Sequence, residues 1–173
     1  MKRMIETIDK ILSNFLVVLM VGMVLDVFWQ VFTRFVTRHP SSFTEELATF
    51  FMIWIGLLGG AYALRQKAHL GIDILTQKMA PDKKLKWEFF IYSNVILFSL
   101  LVMIWGGIRL VYVTFYLKQV SAALKVPMGG IYLVVPITGI LFIFYSIYFM
   151  TEAYKKLKLR SFEESQKLIA RFD

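Results

Sequence analysis

The chain has 173 residues, of which 58% are hydrophobic, 16% aromatic and only 18% charged, with a formal net charge of +8 and no cysteine. An ordinary soluble domain is about 45–50% apolar and about 25% charged, so this composition argues against a water-soluble globule, and the missing thiols exclude disulfides, thiolate metal sites, iron–sulfur ligation and thiol redox chemistry. The surplus positive charge flanks apolar runs instead of lining one polar face, which reads as membrane topology and not as a nucleic-acid surface.

Four apolar runs, Ile11 to Thr33, Leu47 to Leu64, Phe89 to Ile108 and Val126 to Thr151, occupy about half the chain, and Asp26 is the only charged residue in any of them. A bilayer core about 30 Å thick takes about 20 apolar residues per helix, and unpaired backbone groups are too costly in lipid for anything less regular. The expectation is an all-α membrane protein: one domain over residues 1–173, spans near 11–33, 43–65, 87–109 or longer and 126–151, and a tail over 152–173. Fifteen of the 20 Lys and Arg residues lie in the N-terminal segment, the loop after the second run and the tail. That bias predicts both termini in the cytoplasm. The first run is too long for a signal peptide, carries Asp26 and lacks a small-residue cleavage site, so it is read as a retained anchor.

Taken in order, the first span ends near Arg34, and His39-Pro40 marks a turn because the residue before proline is pushed out of helical geometry. Ser42-Phe43-Thr44-Glu45 fits a capping box, with Glu45 and Glu46 at the positive end of the second helix dipole. That helix carries Trp54, then Gly56 and Gly60 in GxxxG spacing and Gly59 with Ala63 four apart, a pattern that lets another helix approach closely. The neighbour it implies lies either within the chain or in a partner. Gly106-Gly107 and Gly129-Gly130 offer similar points on the third and fourth spans. In the loop from Arg65 to Trp87, Ile72, Leu75 and Met79 outline a short interfacial amphipathic turn that Pro81 ends. Lys83, Lys84, Lys86 and Trp87 form a basic collar, and Trp29, Trp87 and Trp105 are the expected interface anchors. After Arg109 the apolar pattern continues to Leu117, so the third helix is either long and tilted or bent along the surface. In the tail, Ser161-Phe162-Glu163-Glu164 fits a second capping box, with a surface helix and disorder as the two readings.

Chemistry is sparse. His39 and His69 both lie in loops, so no facing pair of haem ligands exists, and no metal-binding or nucleophile–base spacing is present. The expectation is no enzyme activity, no metal and no cofactor. At 1.5 Å per residue Asp26 sits about 22 Å above Ile11, at a level similar to Arg109, Arg34, Glu45 and Glu46. The reading is an outer charge cluster in which Asp26 pairs with Arg109 or Arg34 and a glutamate takes the other arginine, locking helices together.

The run of Arg34, Glu45-Glu46, Trp54, Gly56 with Gly59, Arg65 and His69-Leu70-Gly71-Ile72-Asp73, followed by Ala123 to Met128 and Tyr132 to Pro136, resembles the small membrane subunit of tripartite ATP-independent periplasmic (TRAP) transporters, the DctQ type, and within it the sialic-acid branch. The resemblance implies a stationary, non-catalytic scaffold in the bacterial inner membrane. It implies a large elevator-type membrane subunit that carries the substrate and sodium sites, and a periplasmic substrate-binding protein that docks on the assembly to deliver sialic acid, a C4-dicarboxylate or another organic acid. Arg65, His69 and Asp73 then form a cytoplasmic turn or contact the large subunit. The outer charges Arg34, Arg38, Glu45, Glu46, Lys118 and Lys125 lie where the binding protein would reach. The competing readings are a self-sufficient four-helix exporter and a membrane anchor for another complex.

Overall fold

The computed structural model describes residues 2–37, 41–66 and 81–169, with side chains for 3–36, 41–66 and 86–155. Helix α1 (Lys2–Phe32) runs into a π-helical turn, π1 (Thr33–Thr37). Helix α2 (Ser42–Arg65) returns antiparallel to it. The third span joins α3 (Pro81–Phe98), a π-helical stretch π2 (Ser99–Gly106) and α4 (Gly107–Tyr116). After a hairpin, α5 (Met128–Tyr132) leads through a break at Leu133 into α6 (Val134–Ile169). Four stretches are long and apolar enough to cross a membrane, Arg3–Val36, Ser42–Arg65, Lys86–Tyr116 and Met128–Lys155, as the apolar runs require. Among the described residues the β-structure is a single isolated bridge, between Val120 and Pro127.

The spans do not pack in chain order. Helix α1 lies on α2, α2 on α6, and α6 on α3 and π2, so the fourth span stands between the second and third. The core follows this arrangement: Leu12 and Leu16 meet Leu58, Ala61 and Leu64, which meet Val134, Tyr145 and Phe149. The outward face of α1 keeps Val18, Val24 and Phe28 about two-thirds exposed. An apolar surface of that extent calls for lipid or a partner's apolar face against it.

Several expectations are corrected. Helix α2 opens with Ser42 as its first helical residue and Ser41 as N-cap, and no side-chain cap bond forms, so the capping box is absent. Ser41 is extended, and Thr44 donates to its carbonyl at 2.9 Å. Of the two readings of the third span the long helix holds, and it continues seven residues beyond Arg109. Its π2 segment closes a wider turn than an α-helix, which carries Ser99, Met103 and Gly107 in one buried line against α6. The tail does not start a new helix: α6 runs unbroken to Ile169, so Ser161 is interior and not a cap. Leu133 interrupts the fourth span because Pro136, in the first turn of α6, has no N–H to continue the ladder from α5.

The glycines are corrected too. A Cβ on Gly56 or Gly59 would meet nothing within 4 Å, and one on Gly60 would make ordinary contact with Phe142 at 3.6 Å. The buried side of α2 is instead marked by Thr44, Leu58, Ala61 and Leu64; Gly56 is exposed and Ala63 half-buried. The tight approaches fall at Gly129, where a Cβ would come within 2.6 Å of the Phe115 ring, at Gly139, 2.8 Å from the Met103 Cβ, and at Gly107, 3.0 Å from Pro136. All three lie between the third and fourth spans, and Gly107 and Gly129 stand at points the sequence offered for close approach.

Candidate functional site

The hairpin end of the bundle is organised by one carboxylate. Glu46, one turn into α2, faces the segment that follows α4. There the chain makes a single helix-like turn whose first N–H groups have no partner of their own. Glu46 Oε1 accepts from the Ala122 amide at 3.1 Å, and Oε2 accepts from the Ser121 hydroxyl and the Ala123 and Leu124 amides at 2.8–2.9 Å. Four charge-assisted donors on one carboxylate make a strong, directional tether. The turn is closed on itself by the Ser121 amide donating to the Val126 carbonyl at 2.9 Å and the Met128 amide to Gln119 at 3.0 Å.

The exit from α4 is a Schellman cap. The Gln119 amide donates to the Thr114 carbonyl and the Lys118 amide to Phe115, each at 3.0 Å, the paired bonds of that motif. The residue at its left-handed position is Lys118, with φ of 50°, and Lys125 closes the turn with φ of 55°. That region suits glycine and costs other residues about 1–2 kcal/mol. Both lysines are exposed.

The opposite end, where α1 begins and α2 ends, is held by side chains. Arg65 Nε lies 2.8 Å from Asp9 Oδ2, and the buried Tyr145 hydroxyl donates to Asp9 Oδ1 at 2.8 Å. The Arg65 guanidinium also lies over the rings of Tyr148 at 5.6 Å and Phe149 at 5.9 Å, close enough for cation–π attraction. One aspartate therefore ties together α1, α2 and α6. Midway, the Trp54 indole donates to the Ile131 carbonyl at 3.1 Å, fastening α2 beside the break between α5 and α6.

The expected outer cluster does not assemble. Among the described residues the ion pair is Arg65–Asp9. Asp26 is buried at 8% exposure with its Oδ2 unpartnered, while Arg34, Glu45 and Arg109 are exposed. The packing order gives the reason: Asp26 belongs to the helix lying on α2, whereas Arg109 belongs to the third span, which packs on α6. Glu46 is drawn to backbone amides and not to an arginine. Trp29, Trp87 and Trp105 stand off the bundle at 56%, 42% and 74% exposure. His69 and Asp73, with the amphipathic turn around Ile72, lie outside the described residues. Sequence reasoning missed Asp9 and Tyr145. The available signal was an acid and a base, Asp9 and Arg65, at facing ends of two antiparallel helices.

Such a bundle positions charges to fasten itself. Residues 23–156 match the family described as tripartite ATP-independent periplasmic transporters, DctQ component. The chain is 30% identical over 83 residues to the sialic acid TRAP transporter small permease protein SiaQ of Vibrio cholerae, covering 48% of this chain and 46% of that protein. It is 28% identical over 103 residues to the C4-dicarboxylate TRAP transporter small permease protein DctQ of Rhodobacter capsulatus, covering 58% and 44%. It is also 32% identical over 80 residues to the sialic acid TRAP transporter permease protein SiaT of Haemophilus influenzae, covering 46% and 13%. The matched stretch thus spans less than half the length of each of these three relatives. With four membrane-crossing helices and a family match over most of its length, the chain is a multi-pass membrane protein and a transport component, not an enzyme, and it belongs to the DctQ component family of tripartite ATP-independent periplasmic transporters.

Proposed function

We propose that this chain is the static small subunit of a secondary transporter that imports an organic acid of the sialic acid or C4-dicarboxylate class. It braces a larger membrane subunit that holds the substrate and sodium sites, and its hairpin end forms part of the docking surface for a soluble periplasmic binding protein. Both termini face the cytoplasm, which places the Glu46 hairpin on the periplasmic side. The observation that carries this reading is how the charged side chains are used: Asp9 with Arg65 and Tyr145, and Glu46 with the 121–124 turn, each join separate elements. Groups bound in this way stiffen a scaffold. The names of the relatives support the substrate class, and the SiaT relative, of which the matched stretch is 13%, supports a larger permease as the partner.

Co-expression tests it. The tagged chain, produced with the membrane protein and the soluble binding protein encoded beside it, co-purifies with the membrane protein, and vesicles take up labelled sialic acid or succinate only when both membrane components and the binding protein are present. Uptake by vesicles holding this chain alone would refute the scaffold. Asp26, a buried carboxyl with an unpartnered oxygen inside the first span, is the feature that favours a self-sufficient exporter. Vesicles of the chain alone, assayed for cation efflux, decide between the two.

A further inference from the structure

The polar start of α1 and its apolar continuation share one side of the helix. Arg3, Glu6, Thr7, Lys10 and Asn14 are all exposed, and with Ile11 they line a shallow depression of about 520 Å³. Spacings of three and four residues keep them in one stripe. The same stripe runs on through Val17, Val21 and Val24, which are 57%, 54% and 66% exposed. At 1.5 Å per residue, Asn14 to Val24 rises about 15 Å, half of a bilayer core about 30 Å thick. Among the described residues neither Arg3 nor Lys10 has an acid within 4 Å. Glu6 between them leaves the stripe one net positive charge.

We propose that this stripe binds one anionic phospholipid of the phosphatidylglycerol type, its phosphate held by Lys10 and Asn14 and drawn in by Arg3, its acyl chain lying along Val17, Val21 and Val24. The inference needs only that α1 crosses a bilayer, and it stands apart from the transport and docking reading above. Charge and length together fix the occupant. A soluble acidic protein would engage Arg3 and Lys10 but leave the valines bare, whereas an apolar helix would cover the valines and strand two cations. An amphiphile with a singly charged head and a chain one leaflet long satisfies both ends at once. The side chain of a helical residue leans toward the helix N-terminus, so the Lys10 ammonium stands on the headgroup side of its own Cα while its methylenes stay beside the chain. A lipid held in this way fixes the depth at which α1 sits in the membrane.

The test takes the delipidated full chain in a neutral detergent and titrates it with phosphatidylglycerol, phosphatidylcholine or glycerol phosphate, following thermal unfolding and the adducts retained in native mass spectrometry. Phosphatidylglycerol is expected to raise the unfolding midpoint saturably and to survive as a one-to-one adduct. Phosphatidylcholine binds about tenfold more weakly, and glycerol phosphate, a head without a tail, gives no shift. Arg3→Gln with Lys10→Gln, two exposed sites, keeps the midpoint of the lipid-free chain and weakens phosphatidylglycerol about tenfold. Lys118→Gln with Lys125→Gln removes the same charge at the hairpin end and leaves the affinity as it was. Equal affinity for the two lipids, or a double variant at Arg3 and Lys10 that binds phosphatidylglycerol within twofold of the unaltered chain, would overturn the site. An equal loss in the Lys118 and Lys125 variant would reduce it to bulk attraction, and a shift by glycerol phosphate alone to an anion site without a lipid; either overturns it. Loss of a co-purifying membrane protein from the Arg3 and Lys10 variant, with lipid binding intact, would make the stripe a protein contact and overturn it likewise.

Discussion

The two ends of the bundle are fastened by different means. At the terminal end, one aspartate joins three helices through side chains alone: Arg65 from α2 and Tyr145 from α6 both reach Asp9. At the hairpin end, Glu46 binds three backbone amides and one serine hydroxyl of a single turn. The first is a junction between rigid elements, and removing any member loosens helix packing. The second shapes a connection, and its loss frees a loop while the helices stay packed. A third acid, Asp26, is buried without either kind of support at its Oδ2, and it sets a baseline for what an unassisted carboxyl does in the same helix as Asp9.

Substitutions sharpen this contrast, beginning with the largest effect. Asp9→Ala leaves Arg65 and the Tyr145 hydroxyl without their partner and is expected to lower unfolding stability by about 2–3 kcal/mol, with Arg65→Ala similar and the double variant less than additive; thermal unfolding in detergent measures it. If Asp9→Ala costs no more than a surface change, the junction is ornamental. Asp26→Leu carries the opposite sign. Removing a buried polar group that lacks a partner is expected to raise stability by about 1 kcal/mol, and a loss of that size would mean that Asp26 finds a partner in the assembled transporter fold. Tyr145→Phe deletes a single bond to Asp9 and costs about 1 kcal/mol, testing how evenly the junction is shared between its two donors. The smallest change is Lys118→Gly at the Schellman cap, expected to stabilise by about 0.5 kcal/mol in equilibrium unfolding because glycine meets the left-handed φ without strain.

The contrast also explains which features were legible. The four spans were plain, since each is an apolar run long enough for a bilayer and little else folds from such a run. Arg65 was singled out, yet its partner was not, because the Asp9–Arg65 pairing depends on the antiparallel register of α1 against α2, and a one-turn slip would pair other residues. The capping box at Ser42 was over-read: the spacing was right but the helix began one residue after a cap whose side chain makes no bond. Gly56 and Gly59 were read as packed because their spacing is that of close-packed helices. The structure puts close approaches at Gly107 and Gly129, both on the glycine pairs the sequence offered, and at Gly139, which it did not mark. Spans of this kind are apolar all round, so hydrophobic periodicity marks no inner face and cannot say which small residues meet a neighbour.

The order of its residues alone determined four runs long and apolar enough to cross a membrane, the lack of cysteine and the resemblance to a transporter's small subunit. Those properties follow from run length and residue type, which are local. The Asp9 junction, the isolation of Asp26 and the Glu46 tether were decided only by folding. Each depends on which helix stands beside which, and in the last case the partners are mostly main-chain amides, which every residue but proline carries and which leave no mark in a sequence.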